Sequence, residues 1–199
     1  MEANDAAERM EQRREEDRFK KWSAILIAFF AMLLAITSLG GDNATKDALN
    51  ENIVAANAFN FFQAKNIRQT NYSLAADALE NGWINDPAVS EGARAALRAK
   101  IADYRSTVKR YESEPETGEG KKELLASARE HVAKRDHALK QDPFFDYAEA
   151  LLQIAIVLIS VSIVADQRWL VFLATGVGAI GFLLLLNGFL LLVEIPGLG

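Results

Sequence analysis

Three stretches of this chain are almost pure hydrocarbon, and the polar breaks between them set the architecture. From Leu151 to Val193 charge appears only at Asp166 and Arg168, which flank Gln167. One helix over that block would be about 65 Å long at ~1.5 Å per residue, twice the ~30 Å hydrocarbon core of a bilayer. Two spans fit instead, with the triplet as a water-facing turn, because a charge at mid-bilayer costs roughly 2.5 to 3.5 kcal/mol. A third run, Trp22 to Leu39, carries no charge over about 18 residues, the lower end of a spanning length. The pattern predicts an all-α integral membrane protein with three transmembrane helices and a helical, coiled-coil-like extramembrane domain. Its parts are a charged helix over 1–21, a first span over 22–39, a helical domain over 40–142, a second span over 143–165, a turn over 166–168, a third span over 169–193 and a tail over 194–199.

Within the middle domain the expected helices cover roughly 43–83, 89–111 and 121–140. Gly40-Gly41 is read as a helix break, and Asp142-Pro143 as a helix start with a capping carboxylate and a first-turn proline. The first helix shows two apolar faces. One holds Leu49, Ile53, Ala56, Ala64, Ile67, Leu74 and Ala75, with Asn57, Asn60 and Asn71 interleaved; the other holds Val54, Phe61, Tyr72, Leu79 and Trp83. A helix with one buried side needs one seam, so two seams imply a sandwiched helix. Ile53, Ala56, Asn57, Asn60, Ile67 and Leu74 are the candidate seam between copies, where amides fix register and copy number.

After the Asn81-Gly82 and Asn85-Asp86-Pro87 turn, Leu97, Ile101, Tyr104, Val108 and Tyr111 form one seam. Leu125, Ala128, Val132 and Leu139 form another, with Arg135 as its flaw. The polar loop from Glu112 to Gly120 between them predicts an antiparallel hairpin with an acidic tip. Parity then requires the long first helix either to lie along the membrane surface or to bend back near Asn71.

Arg13, Arg14, Arg18, Lys20 and Lys21 crowd the amino side of the first span, which places the amino terminus in the cytoplasm and exports the middle domain. Arg168 agrees independently. A cleaved signal peptide is the rival reading, but Glu15, Glu16 and Asp17 are unlike a short basic leader. The first 21 residues read as a solvated topology anchor in preference to a docking helix.

Net charge is −5 and cysteine is absent, so nucleic-acid binding, a disulfide framework and thiolate chemistry are set aside. His131 and His137 are six residues apart, unlike an i, i+4 metal pair. The glycines from Gly176 to Gly181 lie in an apolar span and form no phosphate cradle. No enzymatic activity, metal or cofactor is expected. Asp146, Glu149, Gln153 and Asn187 are the polar residues at membrane depth and the candidate pore lining. The structural reading of the carboxylates, reaching headgroup water and complementing a helix amino end, is preferred over a conduit. Asn187 invites an interhelical hydrogen bond, and Ala174, Gly178 and Gly181 make a small-residue packing surface.

Two segments carry a family resemblance: Asn57-Ala-Phe-Asn-Phe-Phe-Gln-Ala-Lys-Asn-Ile-Arg-Gln69, and Phe145-Asp-Tyr-Ala-Glu-Ala-Leu-Leu-Gln-Ile-Ala-Ile156 followed by Arg168-Trp169. With the arrangement of spans they resemble a family of bacterial membrane proteins described as a domain of unknown function, over most of the chain. The resemblance implies a bacterial inner-membrane protein with a helical domain between its first two spans, and supplies no activity or catalytic residue. The resulting expectation is a multi-pass inner-membrane protein whose partners are the lipid bilayer, further copies of itself and a periplasmic protein, in a structural or interactive role. A small channel or transporter subunit is the alternative, and an envelope sensor acting through its amino end the third.

Overall fold

The computed structural model describes residues 2–83 and 86–193. The expected tail at 194–199 and Asn85 of the expected turn lie outside the described residues. Among the described residues the fold is entirely helical: α1 (Glu2–Gly82), α2 (Glu91–Glu112), α3 (Lys121–Ala165) and α4 (Trp169–Leu190). Three of these, α1, α3 and α4, contain a stretch long and apolar enough to cross a membrane.

Two expected breaks do not occur. α1 runs through Gly40-Gly41 and on past Asn71 without interruption, so the glycine pair serves another purpose. A Cβ on Gly40 would stand 2.6 Å from Phe145 Cε1, and one on Gly188 of α4 would stand 2.9 Å from the same atom. The two glycines are the seat of a ring that is itself buried, and that packing outweighs the ~1 kcal/mol a glycine costs in a helix interior. α3 likewise runs through Pro143. Proline removes one helix hydrogen bond at about 3 kcal/mol, and Phe144 and Phe145, both buried immediately after it, hold the helix in place beyond that loss.

The chain divides into two compact units, Met1–Ala48 with Asp136–Gly199, and Leu49–Arg135. In the first, parts of α1, α3 and α4 enclose a core of Phe30, Leu33, Phe145, Leu152, Ile159 and Leu185. α3 ends in a left-handed residue, Asp166 (φ 50°), and the Gln167 N–H donates back to the Ser162 carbonyl at 3.1 Å, closing the helix as a Schellman turn. Arg168 pairs with Glu15 at 3.4 Å and lies over the Phe19 ring.

In the second unit, partners descend α1 as the numbers rise along α2 and α3. Arg105 meets Asp77 and Glu80, Tyr104 and Tyr111 meet Tyr72, Lys121 meets Gln69 and His131 meets Glu51. Both α2 and α3 therefore run opposite to α1, one after the other, and the expected α2–α3 hairpin is replaced by a shared docking on α1. In this unit one long helix is matched by two shorter ones. The 113–120 loop is not a free tip; it sits against the middle of α1 in this unit. The apolar stripes of α2 and α3 were readable, but a stripe does not name its partner. Leu139, expected in the α3 seam, lies in the first unit and is half exposed, while Ala138 beside it is buried.

Candidate functional site

The most elaborate polar constellation lies in the second unit, where the 113–120 loop crosses α1. Lys65 is only 8 % exposed, an unusual place for an ammonium group, which is rarely buried without a partner. Its Nζ lies 3.6 Å from a Glu114 carboxylate oxygen and 3.3 Å from one of Glu119, and 5.4 Å from the centre of the Tyr111 ring. One turn on, Gln69 Nε2 donates to the Val108 carbonyl and to Glu112 Oε2, both at 3.0 Å, while its Oε1 accepts from Lys121 Nζ at 2.6 Å. Lys121 also pairs with Glu112 and lies over the Phe62 ring. The hydrogen bond from Gln69, helped by Lys121, holds the Glu112 carboxyl below the usual glutamate range.

The loop is closed by the first turn of α3. Gly120 gives its carbonyl to the Leu124 N–H, and Glu123 reaches back to accept from Ser113 Oγ at 2.6 Å and from the Glu114 N–H at 3.1 Å. These bonds, Ser113 first, lower the Glu123 carboxyl. A Cβ on Gly120 would fall 2.3 Å from the Glu114 nitrogen, and Gly118 adopts φ 71°, a conformation that favours glycine. Every one of these groups is occupied by another part of the chain, so the constellation clasps α2 and α3 onto α1 and presents no free acid or base. Lys65, Gln69, Glu112 and Glu123 were not singled out from the sequence, although the segment 57–69 contains two of them and Gly120-x-x-Glu123 has the spacing of a capping box.

The candidate pore residues lie in the first unit on the outside of their bundle. Asp146 and Gln153 are exposed and Glu149 is half-buried. Glu149 accepts from Ser38 Oγ and from Gln153 Nε2, each at 3.0 Å, so both carboxylate oxygens are held. Asn187 makes no interhelical bond; it closes the end of α4, donating to the Val193 carbonyl at 2.8 Å and accepting from the Val193 N–H at 3.0 Å. It corrects the expected interhelical role, because the left-handed Leu191 brings the chain back onto that side chain. Ala174, Gly178 and Gly181 are buried. A Cβ on Gly178 would stand 2.3 Å from Phe30 Cζ, and one on Gly181 would stand 3.2 Å from Leu152 Cγ.

The two sides of α1 in the second unit differ sharply. Ala55, Ala58, Lys65 and Ala76 are buried against α2 and α3, with Phe62, Gln69, Tyr72 and Leu79 half-buried beside them. On the other side Leu49 is 59 % exposed, Ile53 57 %, Ile67 61 % and Leu74 61 %, and Ala56, Asn57 and Asn60 are exposed with them. A shallow apolar hollow of about 420 Å³ lies between Leu79, Trp83 and Leu97, with Lys100 at its rim. Among the described residues no group of three His, Asp or Glu is placed to hold a metal ion.

A family profile described as "Domain of unknown function (DUF4337)" matches residues 19–191. No curated protein matches the chain, and no solved structure does.

Proposed function

Since the chain belongs to the DUF4337 family, whose description names no activity, we propose a role from geometry: a non-enzymatic, homo-oligomeric structural or interaction protein of a bacterial inner membrane. On this reading α1, α3 and α4 each cross the bilayer, the amino end lies in the cytoplasm beside Arg168, and the Leu49–Arg135 unit lies in the periplasm. The observation that carries it is the exposed apolar stripe of α1. Four large aliphatic side chains between Leu49 and Leu74 are more than half exposed on a helix whose opposite side is already filled, and exposed apolar groups aligned on one helix face support an interaction site. Lys65, Glu112, Lys121 and Glu123 on the filled side are consumed in holding the helices together, which favours structure over catalysis.

A channel or transporter subunit is the second reading. Asp146 and Gln153 face away from an apolar three-helix core, so a polar path would have to lie between copies and not within one. Flux through reconstituted liposomes that falls in Glu149→Gln would support it; no flux would remove it. The structural reading is tested by native mass spectrometry of the full chain released from detergent. Species at multiples of 21.9 kDa are expected, and a monomer at every concentration contradicts it.

A further inference from the structure

The exposed stripe has a stricter order than scattered apolar residues require. Ile53, Asn60, Ile67 and Leu74 recur every seven residues, and Leu49, Ala56, Gln63 and Thr70 fall four residues before each of them. Together they form the alternating three and four spacing of a helix that packs along a second helix. All eight are exposed. The run spans about 37 Å at ~1.5 Å per residue.

The positions beside the stripe identify its occupant. Asn50, Asn57, Ala64 and Asn71 border it on one side, and Asn52, Phe59, Asn66 and Ser73 on the other. None carries a charge of its own, and Arg135 of α3, which reaches one of them, donates to Asn52 Oδ1 at 3.2 Å. A membrane surface selects a lysine- and arginine-rich polar face, and a different protein helix is ordinarily selected by complementary charges at these flanks; neither is provided. An uncharged face can meet its own copy without like-charge repulsion. Asn60, at a position that such pairing buries, needs a donor and an acceptor, and the same residue of a second copy supplies both. Copies held in one bilayer by the same span also enter it in the same direction.

We infer that the occupant is a second copy of this chain, lying parallel and in register along residues 49–74, with paired Asn60 amides fixing the register. The inference rests on the self-association through this stripe proposed above and adds its direction and alignment. The chain has no cysteine of its own, which permits a clean test on the full protein in bilayers. Single variants Ile53→Cys, Asn60→Cys, Ile67→Cys and Leu74→Cys are oxidised alongside Arg68→Cys, which is exposed but off the stripe. Disulfide dimers at all four stripe positions, at least tenfold above Arg68→Cys, are expected. Dimers confined to Asn60→Cys would mean antiparallel copies and overturn the inference. So would no stripe dimers in a protein that native mass spectrometry still finds oligomeric, a result that leaves self-association standing, whereas a monomer removes both. Asn60→Lys, with helicity unchanged by circular dichroism, is expected to lower dimer yield at Ile53→Cys at least tenfold; an unchanged yield would contradict the buried amide pair.

Discussion

The two units solve the same problem, holding helices side by side, by opposite means. In the first, rings sit on glycines: Phe30 on Gly178, and Phe145 between Gly40 and Gly188. The buried hydroxyls of Thr37 and Ser162 bond within their own helices, to the Leu33 and Ile159 carbonyls. In the second, the helices meet through alanines and a charged and amide clasp around Lys65 and Gln69. The difference follows from the solvent on the proposed placement. Lipid tails are as apolar as a leucine, so burial drives nothing there and close shape must suffice. Water rewards apolar contact and tolerates half-exposed ion pairs that give the docking its geometry.

The contrast is broken most strongly by filling a glycine seat. Gly178→Leu must displace Phe30 and is expected to cost about 3 kcal/mol or more, at the upper end of overpacking effects. Gly176→Leu, with nothing within 4 Å of its added Cβ, should be near neutral. Thermal unfolding of the detergent-solubilised chain separates the two, and equal midpoints would show that the ring contact does not hold the bundle.

The clasp should yield less. Lys65→Ala is expected to destabilise the second unit by about 2 kcal/mol, below the 3–5 kcal/mol for breaking a fully buried pair, because the Glu119 carboxylate stays largely in water. Hydrogen exchange on the full chain should quicken in α2 and in 113–120 while the first unit is unmoved. Exchange rising equally in both units would show that Lys65 acts otherwise.

Acid should act on the same place. Glu112 and Glu123 are held below their ordinary value in the folded chain, so the folded state binds their protons less readily than the unfolded one. Their stabilisation is present above the ordinary glutamate value of about 4.3 and is lost as pH falls below it through the lowered values. Exchange protection of α2 should therefore fall on acidification. A Glu123→Gln variant should lose part of that dependence, and an undiminished profile would assign the loss elsewhere.

The smallest effect concerns a helix end. Leu191 holds φ 45°, a conformation that costs a branched residue about 1–2 kcal/mol. Leu191→Gly is expected to raise stability by up to about 1 kcal/mol, read as a higher unfolding midpoint, and a lower midpoint would show that its side-chain contacts matter more than the strain.

Helix content and the apolar stretches were legible because hydrocarbon length and heptad spacing are local properties. Gly40-Gly41 and Pro143 misled for the same reason: their local preference points to a break, but Phe145 packing, invisible in one dimension, outweighs it. The pairing of α2 and α3 was legible only in part: Tyr72 and Leu79 of the inner side read as apolar, but its buried centre is alanine with Lys65 and Gln69, which do not read as a seam. The outer stripe, with Ile53, Ile67 and Leu74, was visible as apolar, and its exposure came only from seeing what fills the other side.

The central claim, that the outer side of α1 between Leu49 and Leu74 is covered by another copy, is tested most directly by electron dipolar spectroscopy of a spin label on Ile67→Cys in reconstituted bilayers. Helices packed through that stripe lie about 8–10 Å apart, so one narrow, short distance between labels is expected. A decay showing only randomly distributed, separate copies would contradict it.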